Sequence, residues 1–280
     1  MPVKNYGFII HSQRPDLKDY TSRDPIKKLA KIEYNLVTKS PLHVGNGLVY
    51  QKGSQVGRGI IRNADKTPII PGSTLKGVCR NNFNLIVKNT CMFQCKFRFP
   101  KYTKVCKTCD LFGTSSLASR IRFQDAVAQN KTYTNSVEKV IKIPHLMEPK
   151  IKKRYHQKYY HNIEYDPGNT GEVPIWTLPP GITFKGTIII ENFNKFELKA
   201  VLLALNLRPQ ILIGGGKNLG LGRCLIDLDN SLLYKYNGIG EKLEAEARAS
   251  ASIENWKEDN LIKENVINEI RKSRGEPYHI

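Results

Sequence analysis

Across residues 31–39 apolar and polar side chains alternate, with Ile32, Tyr34, Leu36 and Thr38 on one side, the two-residue period of a strand that buries one face. A short apolar run at residues 68–71 leads into Gly72-Ser73-Thr74. After it Leu75, Val78, Cys79, Phe83, Leu85 and Ile86 recur at helical spacing, which predicts a helix ending near Asn89 with Ser73 or Thr74 as its N-cap. Residues 120–126 read as a strand with Ile121 and Phe123 on one face and Arg122 and Gln124 on the other. Residues 181–192 give the clearest strand, 196–207 the clearest short helix and 224–228 a closing strand. The order β-α-β, insertion, β-α-β is the split βαβ pattern of an α+β, ferredoxin-like (RRM-like) domain. Its antiparallel sheet carries both helices on one face and leaves the other open. Between these elements residues 1–30 read as polar and irregular, and residues 40–59 as a loop too rich in glycine for a strand. Residues 241–275 read as one or two amphipathic helices. The expected organisation is one domain over residues 1–240, interrupted by insertions at 90–112 and 137–177, with a helical extension over 241–280.

Charge narrows the choice of partner. Lys and Arg number 44 against 25 Asp and Glu, a formal net charge of +19, which favours a polyanion. No apolar run reaches the roughly 18 residues of a membrane span. No basic amphipathic helix shows the wide apolar face that interfacial binding needs. Met1-Pro2-Val3-Lys4-Asn5 begins no apolar secretory segment. The expectation is a soluble, cytoplasmic protein that meets nucleic acid rather than a membrane.

Four of the six cysteines fall close together, as Cys91-x3-Cys95 and Cys106-x2-Cys109. Paired spacings of this kind suit a metal, and four thiolates complete a tetrahedral shell for zinc with no open position for a catalytic water. Such a site would be structural, stapling a loop rich in Lys and aromatic residues that has little core of its own. Disulfides and unpaired buried thiols are the alternatives, and a cytoplasmic compartment argues against the former. Cys79 and Cys224, in apolar contexts, read as core residues. The segment Gly214-Gly215-Gly216-Lys217-Asn218-Leu219-Gly220-Leu221-Gly222-Arg223 precedes a strand and fits neither a Walker A loop nor a dinucleotide fingerprint. Its backbone amides, with Lys217 and Arg223, suit phosphate; the alternative, a long tight turn needing positive φ, is compatible with that contact rather than opposed to it. The helix start at Gly72-Ser73-Thr74 sets Lys76 and Arg80 one turn apart beside free amides, another phosphate-compatible end. Between Lys139 and His161, the cations Lys142, Lys150, Lys152, Lys153, Arg154 and Lys158 interleave with His145, Tyr155, His156, Tyr159 and Tyr160. That mixture suits single-stranded nucleic acid, the alternative being a solvated hairpin. The expectation is that these cations and amides converge on one groove.

The motifs together resemble the RAMP superfamily of CRISPR-associated proteins over residues 31–229. They are Pro41-Leu42-His43-Val44-Gly45-Asn46-Gly47, Ile70-Pro71-Gly72-Ser73-Thr74-Leu75-Lys76-Gly77, Cys109-Asp110-Leu111-Phe112-Gly113, Leu178-Pro179-Pro180-Gly181-Ile182-Thr183-Phe184 and the glycine-rich loop. Most similar are the backbone subunits of the type III Csm and Cmr complexes. The resemblance implies an RRM-like palm that holds guide RNA and a thumb, here residues 137–177, that wedges into the guide-target duplex. It further implies partners among other CRISPR-associated subunits, copies of this chain included. RNA contacts would fall on His43, Asn46, Arg58, Ser73, Lys76, Arg80, Lys217, Asn218 and Arg223. Active backbone subunits carry an aspartate in the loop after the first strand, whereas residues 40–59 hold no Asp or Glu and the corresponding place is near Gly47 or Leu48. Asp65 is the nearest carboxylate downstream, and no catalytic residue is assigned. A guide-processing endoribonuclease of the same superfamily, working through a histidine without metal, is the alternative function. A zinc-stapled structural protein that meets no RNA is the third.

Overall fold

The structure, a computed structural model, describes residues 6–10, 15–19, 24–91, 94–96, 98, 101–129, 138–143, 156–160, 165–166, 171–207, 210–237, 244–250, 257 and 260–273. Along the chain come β1 (Tyr6–Ile10), β2 (Lys18–Asp19), β3 (Lys28–Thr38), β4 (Gly45–Lys52), β5 (Gln55–Ile60) and β6 (Ile69–Ile70), then α1 (Gly72–Ile86). β7 (Lys104–Val105) and α2 (Lys107–Phe112) precede β8 (Ile121–Phe123), β9 (Ala126–Ala128), β10 (Lys139–Ile143), β11 (His156–Tyr160), β12 (Val173–Thr177) and β13 (Thr183–Glu191). α3 (Lys195–Leu205), β14 (Ile211–Leu212), β15 (Arg223–Ile226), β16 (Leu232–Asn237), β17 (Glu244–Arg248) and α4 (Glu264–Ser273) follow.

The chain is α+β. β3 and β13 pair antiparallel over nine positions, from Val37↔Thr183 to Leu29↔Glu191. β15 lies on the outer side of β3 and β8 and β9 on the outer side of β13, so the central strands run β15-β3-β13-β8/β9, each antiparallel to its neighbour. The alternation read from the sequence sets one face inward. Ala30, Ile32, Tyr34, Leu36, Phe184, Ile188 and Ile190 share one core with Leu75, Cys79, Phe83 and Ile86 of α1 and Leu198, Val201, Leu202 and Leu205 of α3. Asn82 of α1 donates to the Ala204 carbonyl at 2.8 Å and so joins the two helices by a buried hydrogen bond. Lys31, Glu33, Asn35, Lys185 and Thr187 point to the other, part-exposed face, where Lys31 pairs with Glu33 and lies over the Tyr234 ring. A smaller sheet, β10-β12-β5-β4, joins the first through Leu42 and Leu178, which exchange backbone hydrogen bonds of 2.8 and 2.9 Å.

Five sequence-based expectations change. Residues 40–59 form the β4–β5 hairpin rather than a loop, because their glycines make room for rings. A Cβ on Gly59 would lie 2.5 Å from the Tyr50 ring and one on Gly57 3.2 Å from Trp176, and those two rings stack at 5.3 Å. The strand expected at 120–126 breaks at Gln124 and Asp125, and the Asp125 carboxylate accepts the Gly72 N–H at 2.8 Å. α1 therefore starts at Gly72, after Pro71 in the N-cap position, with its first amide capped from another element, and neither Ser73 nor Thr74 caps it. Residues 244–248 are a strand paired with β16, so residues 241–275 are not wholly helical. The first 30 residues contribute β1 and β2, which pair with β11 and β7. α3 begins as its sequence suggests, with Asn194 and Glu197 forming a capping box.

Two glycines of α1 separate close packing from helix propensity. A Cβ on Gly72 would lie 2.0 Å from the Phe123 carbonyl oxygen, whereas nothing stands within 4 Å of one on Gly77. Gly72→Ala is expected to destabilise the protein by about 2–3 kcal/mol through forced repacking, and Gly77→Ala to stabilise it by about 1 kcal/mol through helix propensity. Denaturant titration of the two variants checks both signs.

Candidate nucleic-acid interface and cysteine centre

At the end of β3 the chain is anchored before it reaches His43. The Thr38 hydroxyl donates to the Pro179 carbonyl at 3.0 Å and accepts the Ile182 N–H at 2.9 Å. His43, nine-tenths buried, places Nδ1 2.7 Å from the Trp176 carbonyl. A carbonyl only accepts, so Nδ1 carries the proton and Nε2 keeps a lone pair. Burial, which disfavours the charged ring, lowers the His43 pKa against the opposing effect of that hydrogen bond, and nearby Arg58 lowers it further. The ring is a neutral acceptor at its Nε2 edge. Gly45 and Gly215 flank it, and a Cβ on either would lie 3.1 Å from Nε2 or 3.3 Å from Cδ2.

The glycine-rich loop closes on the same segment. Gly215 N–H donates to the His43 carbonyl and Gly222 N–H to the Pro41 carbonyl, both at 2.9 Å. Gly214, Gly216, Gly220 and Gly222 all have positive φ, and a Cβ on Gly214 or Gly222 would collide with a carbonyl oxygen. Lys217 and Asn218 lie in the 3-10 turn Lys217–Leu219 that follows. Arg223 takes the Ser40 hydroxyl as acceptor for its backbone N–H at 2.9 Å, and its Nε is buried with no partner among the described residues. Arg58 projects from β5, exposed, and Asn46 accepts the Leu48 N–H through its side chain. Six of the nine residues expected to touch RNA thus gather around the 39–46 segment.

The other three sit on α1 beside the cysteine insertion. Ser73 is exposed. Arg80 donates to the Gly113 carbonyl at 3.0 Å and to Cys109 Sγ at 3.4 Å. Lys76 is half-buried, and its pKa is lowered first by burial and then by Arg80. The structure therefore sets these residues in two groups, and Arg80 is committed to the cysteine loop. The Cys91, Cys95, Cys106 and Cys109 sulfurs all lie within 4.8 Å of one another and could hold a metal ion. Three backbone amides donate to these sulfurs, those of Cys91, Cys95 and Cys106, at 3.2–3.5 Å. Cys79 and Cys224, in contrast, are fully buried in the main core.

A model of the RAMP superfamily matches residues 35–225, from within β3 to within β15, the cysteine insertion included. The chain belongs to the RAMP superfamily. Membership fits a CRISPR-associated, RNA-binding role in general. No curated protein matches the chain. No helix among the described residues is long and apolar enough to cross a membrane.

Several residues that build this RAMP protein's site carried no sequence signal. Arg120 joins Asp110, beside Cys109, at 2.7 Å and Glu197 of the α3 cap, and donates to the carbonyls of Glu191 and Asn192 at 3.0 Å. Glu138 pairs with Arg62 and accepts from Tyr50, whose ring covers Trp176. These contacts join segments far apart in sequence, which no local pattern records. Asp65 accepts the Thr67 N–H in a local turn. His145, Lys150, Lys152, Lys153, Arg154, Tyr155 and His161 lie outside the described residues.

A folded-state pKa below the unfolded one means that the unfolded chain binds the extra proton. Stability from a neutral His43 is then lost as pH falls below about 6.5 toward the folded value. His43→Gln is expected to flatten that acid limb in denaturation midpoints measured across pH 5–7.5.

Proposed function

We propose that this chain is an RNA-binding subunit of a type III CRISPR interference complex that holds guide RNA and shapes the guide-target duplex. The observation that carries the reading is the gathering of Arg58, Lys217, Asn218 and the amide-rich 214–222 loop around His43, at one end of the central sheet. Cations on a tight, glycine-rich turn that lets a strand approach the backbone closely suit a sugar-phosphate chain. The strand order β15-β3-β13-β8/β9 with α1 and α3 against one face supports a ferredoxin-like palm. β10 and β12 pair at the base of the 137–177 excursion, as a thumb hairpin would require. Ser73 and Lys76 at the start of α1 are guide-phosphate contacts in this reading, while Arg80 acts through the cysteine loop. Other subunits of the complex, copies of this chain among them, are the protein partners. With no carboxylate in residues 40–59, target cleavage is not assigned to this subunit. Recovering the tagged chain from cells with its partners and sequencing the associated RNA tests the proposal. RNAs sharing a repeat-derived end are expected, and RNA of random cellular origin, or none, overturns it.

One observation favours the second reading, a guide-processing endoribonuclease. His43 is neutral, and its Nε2 meets no hydrogen-bond partner among the described residues, the state a general base needs. The isolated chain would then cut repeat-hairpin RNA and His43→Ala would abolish the cut.

The metal is zinc in this proposal, and its role is structural. Four Zn–S bonds of about 2.3 Å in a tetrahedron have S–S edges of about 3.8 Å, and the Cys91–Cys106 and Cys91–Cys109 pairs stand at 3.4 Å with all four within 4.8 Å. The N–H donors and the Arg80 guanidinium offset thiolate charge. Metal analysis of the purified chain is expected to find one zinc, which Cys106→Ser removes while lowering the denaturation midpoint. Unchanged metal content in that variant contradicts the assignment.

A further inference from the structure

The turn inside the cysteine insertion is not used by the palm. Its sequence is Lys96-Phe97-Arg98-Phe99-Pro100-Lys101-Tyr102-Thr103-Lys104, in which cations and aromatics alternate between Cys95 and Cys106. Arg98 and Tyr102 exchange backbone hydrogen bonds of 2.8 Å in both directions. Tyr102 is 45% exposed, and Lys101 Nζ stands 5.6 Å from its ring centroid. Lys96, Tyr102 and Lys104 line an open cleft of 430 Å³ that reaches Cys91 and Cys95.

Charge compensation separates the stem from the tip. Lys104 pairs with Asp19, which also accepts from Thr103, and Lys107 pairs with Asp16. Lys96, Arg98 and Lys101 are exposed, and none meets a carboxylate among the described residues. A merely solvated turn needs the cations but has no use for an exposed ring set beside them. A ring face flanked by unpaired cations is what an unpaired base and its phosphates require, and a closed duplex presents no free base face to it.

We propose that this turn is a second nucleic-acid contact, on which Tyr102 stacks a base of single-stranded RNA while Lys96, Arg98 and Lys101 meet its phosphates. The inference rests on the reading of the chain as an RNA-binding subunit, but uses none of the residues assigned to the palm. The occupant is a stretch of RNA that is unpaired where it crosses the insertion.

Fluorescence anisotropy of the full chain with a labelled single-stranded oligoribonucleotide, over a salt series, tests this. Base stacking is worth about 1–3 kcal/mol, so Tyr102→Ala is expected to weaken binding about 5- to 150-fold, with Tyr102→Phe restoring it. Replacing Lys96, Arg98 and Lys101 together with Ala is expected to reduce the salt slope by about 2, from about 0.7 per phosphate on a single strand. Zinc content and denaturation midpoint of each variant identify any loss that is only misfolding, and Tyr102→Leu, which keeps bulk without an aromatic face, replaces Tyr102→Ala if that variant does not fold. Wild-type affinity in the folded variant that lacks the ring, or a wild-type salt slope in the folded triple-Ala variant, overturns the inference. So does a triple-Ala variant that keeps its RNA but no longer co-purifies with a protein partner, the outcome for an acidic protein surface. Arg58→Ala with Lys217→Ala separates the two readings. Loss of binding there with none in the turn variants leaves the palm assignment standing and removes this one, and a wild-type chain that binds no RNA removes both.

Discussion

The antiparallel register of β3 against β13 is the constraint on which the other features depend. Because side chains alternate across a sheet, a slip of one residue would send Ile32, Tyr34 and Leu36 to the open face and Lys31 and Glu33 into the core. The hydrophobic term alone, about 1.5–3 kcal/mol for each large apolar side chain buried, forbids that slip. With the register fixed, Thr38 falls opposite the 179–182 turn, and its hydroxyl and backbone lock the strand end to it. The next residues then have one course. Leu42 pairs with Leu178, His43 reaches the Trp176 carbonyl, and the glycine-rich loop lies across their carbonyls.

Electrostatics divides the molecule in a complementary way. Two largely buried arginines are matched: Arg120 lies between Asp110 and Glu197, and Arg62 meets Glu138. Such pairs specify geometry more than they add stability, since desolvation offsets much of their attraction. The Arg120 arrangement ties the cysteine insertion to the cap of α3, so the insertion is held to the sheet by charge as well as by its own sulfur cluster. With acids drawn into these pairs and into exposed ones such as Arg122–Glu191, the excess of cations is left on the outside. A chain of +19 carries an unfavourable self-repulsion that a bound polyanion relieves.

Much of this was legible in the sequence where a single period governs a segment. The alternation at Ile32, Tyr34 and Leu36, the helical repeat of Leu75, Cys79 and Phe83, and the paired cysteines each record one local physical demand, and each reappears in the structure. The β4–β5 hairpin was illegible because Gly57 and Gly59 weaken strand propensity, while their reason for being there, the Tyr50–Trp176 stack, spans more than a hundred residues. Asp125 hid for the same reason, since it caps a helix 53 residues away and leaves Ser73 and Thr74 without the task their type suggests. Arg80 was read from its helical position as a phosphate ligand, and tertiary packing gives its guanidinium to Gly113 and Cys109. His43 was visible as a residue, but its tautomer follows from a carbonyl 133 residues distant.

Hydrogen exchange of the purified chain, with and without guide-like RNA, tests the central claim most directly, because the account lays the RNA strand over this end of the sheet and so shields it. Slowed exchange confined to residues 43–46 and 213–222 is the expected result. Exchange there that RNA leaves unchanged, under conditions in which the RNA is bound, would contradict the account.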